Sequence, residues 1–152
     1  MSTTARLRGP ARILVAVYAV LAIAATGRSV FQIIDRFSEA PVAFSLSAAS
    51  AVVYIVATLA LAFRREMLAW ITIGFELVGV LVVGTVSIVQ PEILGLGDIE
   101  LFDRAFGREG TVWALFGAGY VGVPLVAPVI GLVYLARSHR RAAVSRGDGT
   151  TA

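Results

Sequence analysis

Two apolar stretches of this chain carry side chains that lipid does not tolerate without a reason. The run "ATGRSVFQIIDRF", residues 25–37, places Arg28 and then Gln32 where a helix should still be in lipid. The run "GFELVGVLVVGT", residues 74–85, encloses a single carboxyl, Glu76. A charge at the centre of a membrane helix costs roughly 2.5–3.5 kcal/mol on insertion scales, so it pairs, faces protein or water, or snorkels to a headgroup. Glu76 can take up and release a proton, the chemistry on which proton-coupled membrane transport depends. Arg28 can answer that carboxyl, or reach the outer headgroups alongside Gln32, Asp35 and Arg36.

Counting ~1.5 Å per residue puts Arg28 in the outer half of the bilayer and Glu76 close to its midplane, ~10 Å deeper. Groups at intermediate depth are then needed to join them. Ser47, Ser50, Tyr54 and Thr58 share one helical face. Tyr54 reaches the depth of Glu76, and Tyr120 that of Arg28. The candidate intramembrane polar network is therefore Arg28, Gln32, Tyr54, Glu76 and Tyr120. Its role is either to orient the helices or to carry a proton.

The stretch "GAGYVGVPLVAPVIG", residues 117–131, is a second irregularity. Pro124 and Pro128 each remove a helical hydrogen bond and free a carbonyl one turn earlier. They are the candidate helix hinge, and the glycines around them allow close helix approach.

The elements that would position these residues follow from composition. Of the 152 residues 58% are hydrophobic and 15% charged, against roughly 45–50% and 25% in soluble domains. Four segments have the ~20 apolar residues a bilayer core requires: residues 13–34, 42–63, 67–89 and 112–136. Short loops make antiparallel hairpins of the first and second pairs. The expected fold is an all-α integral membrane four-helix bundle, with residues 1–12 and an Arg-rich tail, 137–152, outside it.

The 13 basic residues are all arginine. Nine of them lie on one side: Arg6, Arg8, Arg12, Arg64, Arg65, Arg137, Arg140, Arg141 and Arg146. The other side holds Arg36, Arg104 and Arg108 against seven acids. The positive-inside rule makes both termini cytoplasmic and turns the tail toward anionic headgroups rather than nucleic acid. Trp70, Trp113 and Tyr134 suit the interfacial belts. Residues 6–24 also resemble a signal peptide, with cleavage after Ala24 as the rival to a retained first helix. In the outer loop "DIELFDRAFG", residues 98–107, puts Ile99, Phe102 and Phe106 on one face, as a short interfacial helix stopping at Gly107.

Enzymatic chemistry is not expected. Cysteine is absent, and His139 is the single histidine, within the Arg-rich tail. No nucleophile–base pair, P-loop, dinucleotide fingerprint, cofactor motif or metal-ligand spacing is present. The stretches "ATGRSVFQI", "EAPVAFSLSAASAVVYIVAT", "FELVGVLVVGT" and "YVGVPLVAPVIGL" resemble a group of small, uncharacterised integral membrane proteins of actinobacteria. The resemblance implies a multi-pass protein of the cell membrane and supplies no activity. The leading functional reading is an accessory or scaffold subunit whose small-residue faces pack in a homo-oligomer or a larger membrane complex. The alternative is a small proton-coupled transporter or channel with Glu76 as its membrane-embedded acid.

Overall fold

The computed structural model describes residues 9–147. The chain is all-α, with no strand among the described residues. Three long helices open it: α1, Gly9–Asp35; α2, Pro41–Ala62; and α3, Glu66–Val89. A short 3-10 turn, Pro91–Leu94, leads to the outer helix α4, Leu101–Phe106. A 3-10 segment, Ala114–Tyr120, then precedes the last helix, α5, Val123–Gly147. Pro41 stands at the start of α2, where its missing N–H breaks no helical bond. At the far end of α2 Arg64 turns left-handed, φ 55°, and the chain reverses into α3.

The surface is inverted relative to a soluble protein. Ile23, Ile34, Met67 and Val89 are each at least 70% exposed, while Gln32, Ser47, Ser50, Glu76 and Ser87 are buried. Such a surface is stable only when lipid is the solvent. α1, α2 and α3 are each long and apolar enough to cross a membrane. α2 packs between α1 and α3, and α5 closes the bundle mainly against α3. The interior face of α2 is lined by Ala43, Ser47, Ser50, Ala51, Tyr54, Ala57 and Ala60. Small residues there let the backbones approach.

The fourth span departs from the expected single helix over 112–136. Leu115, Phe116 and Gly117 are left-handed within the 3-10 segment, and Val121 and Gly122 are left-handed after it. The two pieces meet at 99°, so this segment is a broken span or a re-entrant loop, and the membrane crossings number three or four. The break falls at Val121–Gly122, ahead of both prolines. Pro124 sits in the first turn of α5, where a proline is tolerated, and only Pro128 lies inside that helix. Three glycines in six residues, Gly117, Gly119 and Gly122, make the segment cheap to bend, and helical propensity does not oppose it.

The strained backbone is held by α3. Phe116 lies against Gly84, where a Cβ would come within 2.6 Å of its ring. The Leu115 N–H donates to Ser87 Oγ at 2.9 Å. Gly79, five residues earlier on α3 and thus ~7.5 Å deeper, receives the ring of Trp113. The chain therefore dips into the bundle at Trp113 and rises again to Phe116.

α4 stops at Gly107, as its sequence requires, with Leu101, Phe102 and Phe106 exposed. Its Arg104 donates to the carbonyls of Ile99 at 2.7 Å, Ser87 at 3.2 Å and Gly97 at 3.4 Å, binding the outer loop to the end of α3. At the opposite end His139 of α5 meets Glu66 of α3 at 3.8 Å. The start of α3 and the end of α5 thus share one face of the membrane.

Candidate functional site

The polar residues in the spans fall into two separate places. The deeper one is built around Glu76, ten residues into α3 and fully buried. Its Oε2 accepts a hydrogen bond of 2.6 Å from the hydroxyl of Tyr18 on α1. Its Oε1 is buried with no hydrogen-bond partner among the described residues. Tyr18 stacks at a tilt against Tyr54 of α2, ring centroids 6.3 Å apart. The Tyr54 hydroxyl in turn accepts from Trp113 Nε1 at 2.9 Å. Gly131 of α5 leaves room on the remaining side, where a Cβ would lie 3.7 Å from the Tyr18 hydroxyl and 3.2 Å from Ile73. Four helices and Trp113, at the head of the 3-10 segment, thus meet around one carboxyl.

The shallower place belongs to Arg28. Its Nη2 donates to Gly107 O at 2.6 Å and Gly110 O at 2.7 Å, and its Nε adds a bond of 3.1 Å to Gly110 O. Gln32, one turn further on, donates from Nε2 to Arg108 O at 2.7 Å and Gly110 O at 3.0 Å. Of these acceptors Gly110 is buried and without water to satisfy it, and the fixed fork of a guanidinium presents several donors at once. Arg28 and Gln32 therefore hold the outer loop in place, and the loop neutralises Arg28 with dipoles. The loop needs glycine to follow this path. A Cβ at Gly107 would strike Asp103 O, and one at Gly110 would strike Arg104 O.

Among the described residues Arg28 and Glu76 form no ion pair, and they share no hydrogen-bond partner. Ten residues of α1, ~15 Å of helix, separate Arg28 from the tyrosine that binds Glu76. Of the five polar positions singled out in the sequence, Tyr54 and Glu76 join the deep cluster and Arg28 and Gln32 the shallow one. Tyr120 ends the 3-10 segment, half-buried against the core. Ser47 and Ser50 are buried on the face of Tyr54, Ser50 donating to Ser47 O at 2.7 Å.

Three participants were not foreseen. Tyr18 is an aromatic hydroxyl at the depth of Glu76, a signal the sequence does contain. Trp113 corrects the interfacial expectation: it is 2% exposed and plugs the bundle, whereas Trp70 is exposed near the start of α3. The carbonyls of residues 107–110 carry no side-chain signature at all.

Outside the spans Arg36 bridges Glu39 at 2.9 Å and Glu109 at 3.0 Å. The hydrogen bond to Glu39, and then the charges of both acids, push its pKa above the usual value. No group of three or more histidine, aspartate or glutamate side chains is placed to hold a metal among the described residues.

Fold and site together define a small, multi-pass helical membrane protein with a buried acid in its third span. No protein-family model, curated protein or solved structure matches the chain. The actinobacterial resemblance thus gains no support beyond its quoted motifs.

Proposed function

We propose that the protein is a proton-coupled carrier of the cell membrane, with both termini cytoplasmic and no covalent catalysis. The observation that supports this reading most is the state of Glu76. Most buried side-chain polar atoms have a hydrogen-bond partner. Here one oxygen is bonded to Tyr18, and the other is the one buried carboxylate oxygen that has no donor among the described residues. An acid of this kind within a span is available to a proton arriving along a path that opens transiently. The broken fourth span beside it is the type of element that carriers place near a central site.

The accessory-subunit reading draws on small-residue faces turned outward to a partner. The glycines at 79, 84, 117, 119 and 131 are instead occupied within the bundle, each already against another group of this chain. Gly9, Gly27, Gly74 and Gly122 have open space around them, and four glycines scattered along the chain make a poor helix-packing face.

Proton binding alone displaces charge, so the test does not require the solute to be known. Purified protein in liposomes on a solid-supported membrane should give a transient current on a pH jump. Glu76→Gln should abolish that current while unfolding at a temperature close to wild type. Identical transients from folded wild type and Glu76→Gln would overturn the carrier reading. Recovery of a stoichiometric protein partner from native membranes would then favour the accessory role.

A further inference from the structure

The buried polar side chains are distributed unevenly about Glu76. Among the described residues the others are Ser29, Gln32, Ser47, Ser50, Ser87 and Thr111. All of them lie between Glu76 and the end of the bundle that carries the α1–α2 turn and the outer loop. Toward the tail the buried side chains are apolar, Leu14, Ala57, Leu61, Ala69, Ile73 and Leu135 filling that half. Three buried atoms have no hydrogen-bond partner among the described residues: Gln32 Oε1, Ser47 Oγ and Glu76 Oε1. Gln32 directs its Nε2 at the carbonyls of Arg108 and Gly110. A flipped amide would set oxygen against both, so its oxygen is the atom turned from the loop. Counted from the outer ends of their helices at ~1.5 Å per residue, Gln32 stands ~4.5 Å deep, Ser47 ~9 Å, Ser50 ~13.5 Å and Glu76 ~20 Å.

We propose that water relays a proton between Glu76 and the outer face along these groups, with Gln32 at the mouth and Ser47 and Ser50 below it, while the tail side of Glu76 stays closed. The inference rests on the carrier reading of Glu76 and adds the side from which its proton comes. One or two waters, each making hydrogen bonds of about 2.8 Å, span the step in depth from one group to the next. A buried water is held by two or more polar groups, and the orphaned oxygens are such groups. Ser50 donates to Ser47 O at 2.7 Å and keeps lone pairs for a water. A serine hydroxyl accepts and donates, so a proton taken at its lone pair is matched by one released from its O–H. The Gln32 oxygen only accepts, and it anchors the first water. At the end of the relay an O–H bond forms on Glu76 Oε1 and the carboxylate becomes neutral; the reverse sequence returns the proton. Tyr18 of α1 and Tyr54 of α2 are the titratable groups beside this carboxyl, and α5 brings Gly131 there. Arg28, near the depth of Ser47, directs its charge at the carbonyls of Gly107 and Gly110.

Charge-displacement currents from liposomes on a solid-supported membrane test the route. A C-terminal affinity tag sorts the vesicles into tail-inside and tail-outside populations. A jump in bath pH should evoke a fast current in tail-inside vesicles and one about tenfold slower or more in the others. Ser47→Val should slow the fast current by about tenfold or more, whereas Ser47→Thr, nearly the same shape but with a hydroxyl, should keep it. If Ser47→Val does not fold, Ser47→Ala combined with Ser50→Ala should slow the current in its place. Thr58 donates to Tyr54 O on the tail side, so Thr58→Val deletes a hydroxyl outside the route and should leave the rate unchanged. Equal wild-type currents from both populations, equal rates in Ser47→Val and Ser47→Thr, or an equal slowing by Thr58→Val would each overturn the outer route and leave the carrier reading standing. A wild type silent in both populations would overturn both.

Discussion

Arg28 and Glu76 occupy one bundle and are satisfied in opposite ways. The guanidinium has its donors directed at the carbonyls of Gly107 and Gly110, and Gln32 reinforces it from the next turn. Its partners are backbone dipoles, fixed by the loop and unable to titrate. The carboxyl has a single phenol and an open oxygen. The first arrangement ties a loop to a helix, because Arg28 and Gln32 share the Gly110 carbonyl as acceptor. The second leaves a carboxyl oxygen with no partner among the described residues. A charge in a membrane protein therefore does not announce its role; the completeness of its surroundings does.

Removing Arg28 should produce the largest effect. Hydrogen bonds to a charged group contribute about 1.5–3 kcal/mol each, and their loss leaves the buried Gly110 carbonyl with Gln32 as its remaining side-chain donor. Arg28→Met should therefore destabilise the protein by about 3 kcal/mol or more in equilibrium unfolding from detergent. Combined with Glu76→Gln, its effect should be additive to within about 0.5 kcal/mol, since the two residues share no partner. A coupling well above that would join the two places into one network and break the comparison.

A smaller loss sharpens it from the other side. Tyr18→Phe removes the donor to Glu76 and should cost about 1–3 kcal/mol. In a Glu76→Leu background the same change should cost much less, because no acceptor remains for the Tyr18 hydroxyl. Full additivity of Tyr18→Phe and Glu76→Leu would show that the 2.6 Å contact contributes nothing. The smallest effect is expected at Trp113→Phe, which keeps an aromatic plug but deletes the bond to Tyr54, a loss of about 1 kcal/mol. A loss several times larger would mean that the indole fills space against Gly79 more than it bonds.

Much of the architecture was legible along the chain. The spans read as residues 13–34, 42–63 and 67–89 correspond to Gly9–Asp35, Pro41–Ala62 and Glu66–Val89. The outer helix ending at Gly107 and the buried face of Ser47, Ser50 and Tyr54 follow the same pattern. The fourth span was legible only in part. Its apolar content marked a crossing and its prolines a disturbance, but glycines and left-handed residues put the bend at Val121–Gly122.

Sequence alone determined where lipid must replace water and, on α2, which polar residues share one face, because hydropathy and the 3.6-residue period are local properties of each helix. It also named Arg28, Gln32, Tyr54 and Glu76 as polar groups that an apolar solvent would force to find partners. Which partners they found was decided only in three dimensions. Helix-length counting measures depth but not rotation or packing, so it could not separate Tyr18 from Arg28 as the donor to Glu76. Nor could it register a loop whose backbone oxygens, 79 and 82 residues away from Arg28 in the chain, fold back into reach of its guanidinium. A carbonyl is present at every residue, so only the tertiary path of the chain distinguishes the few that accept from Arg28.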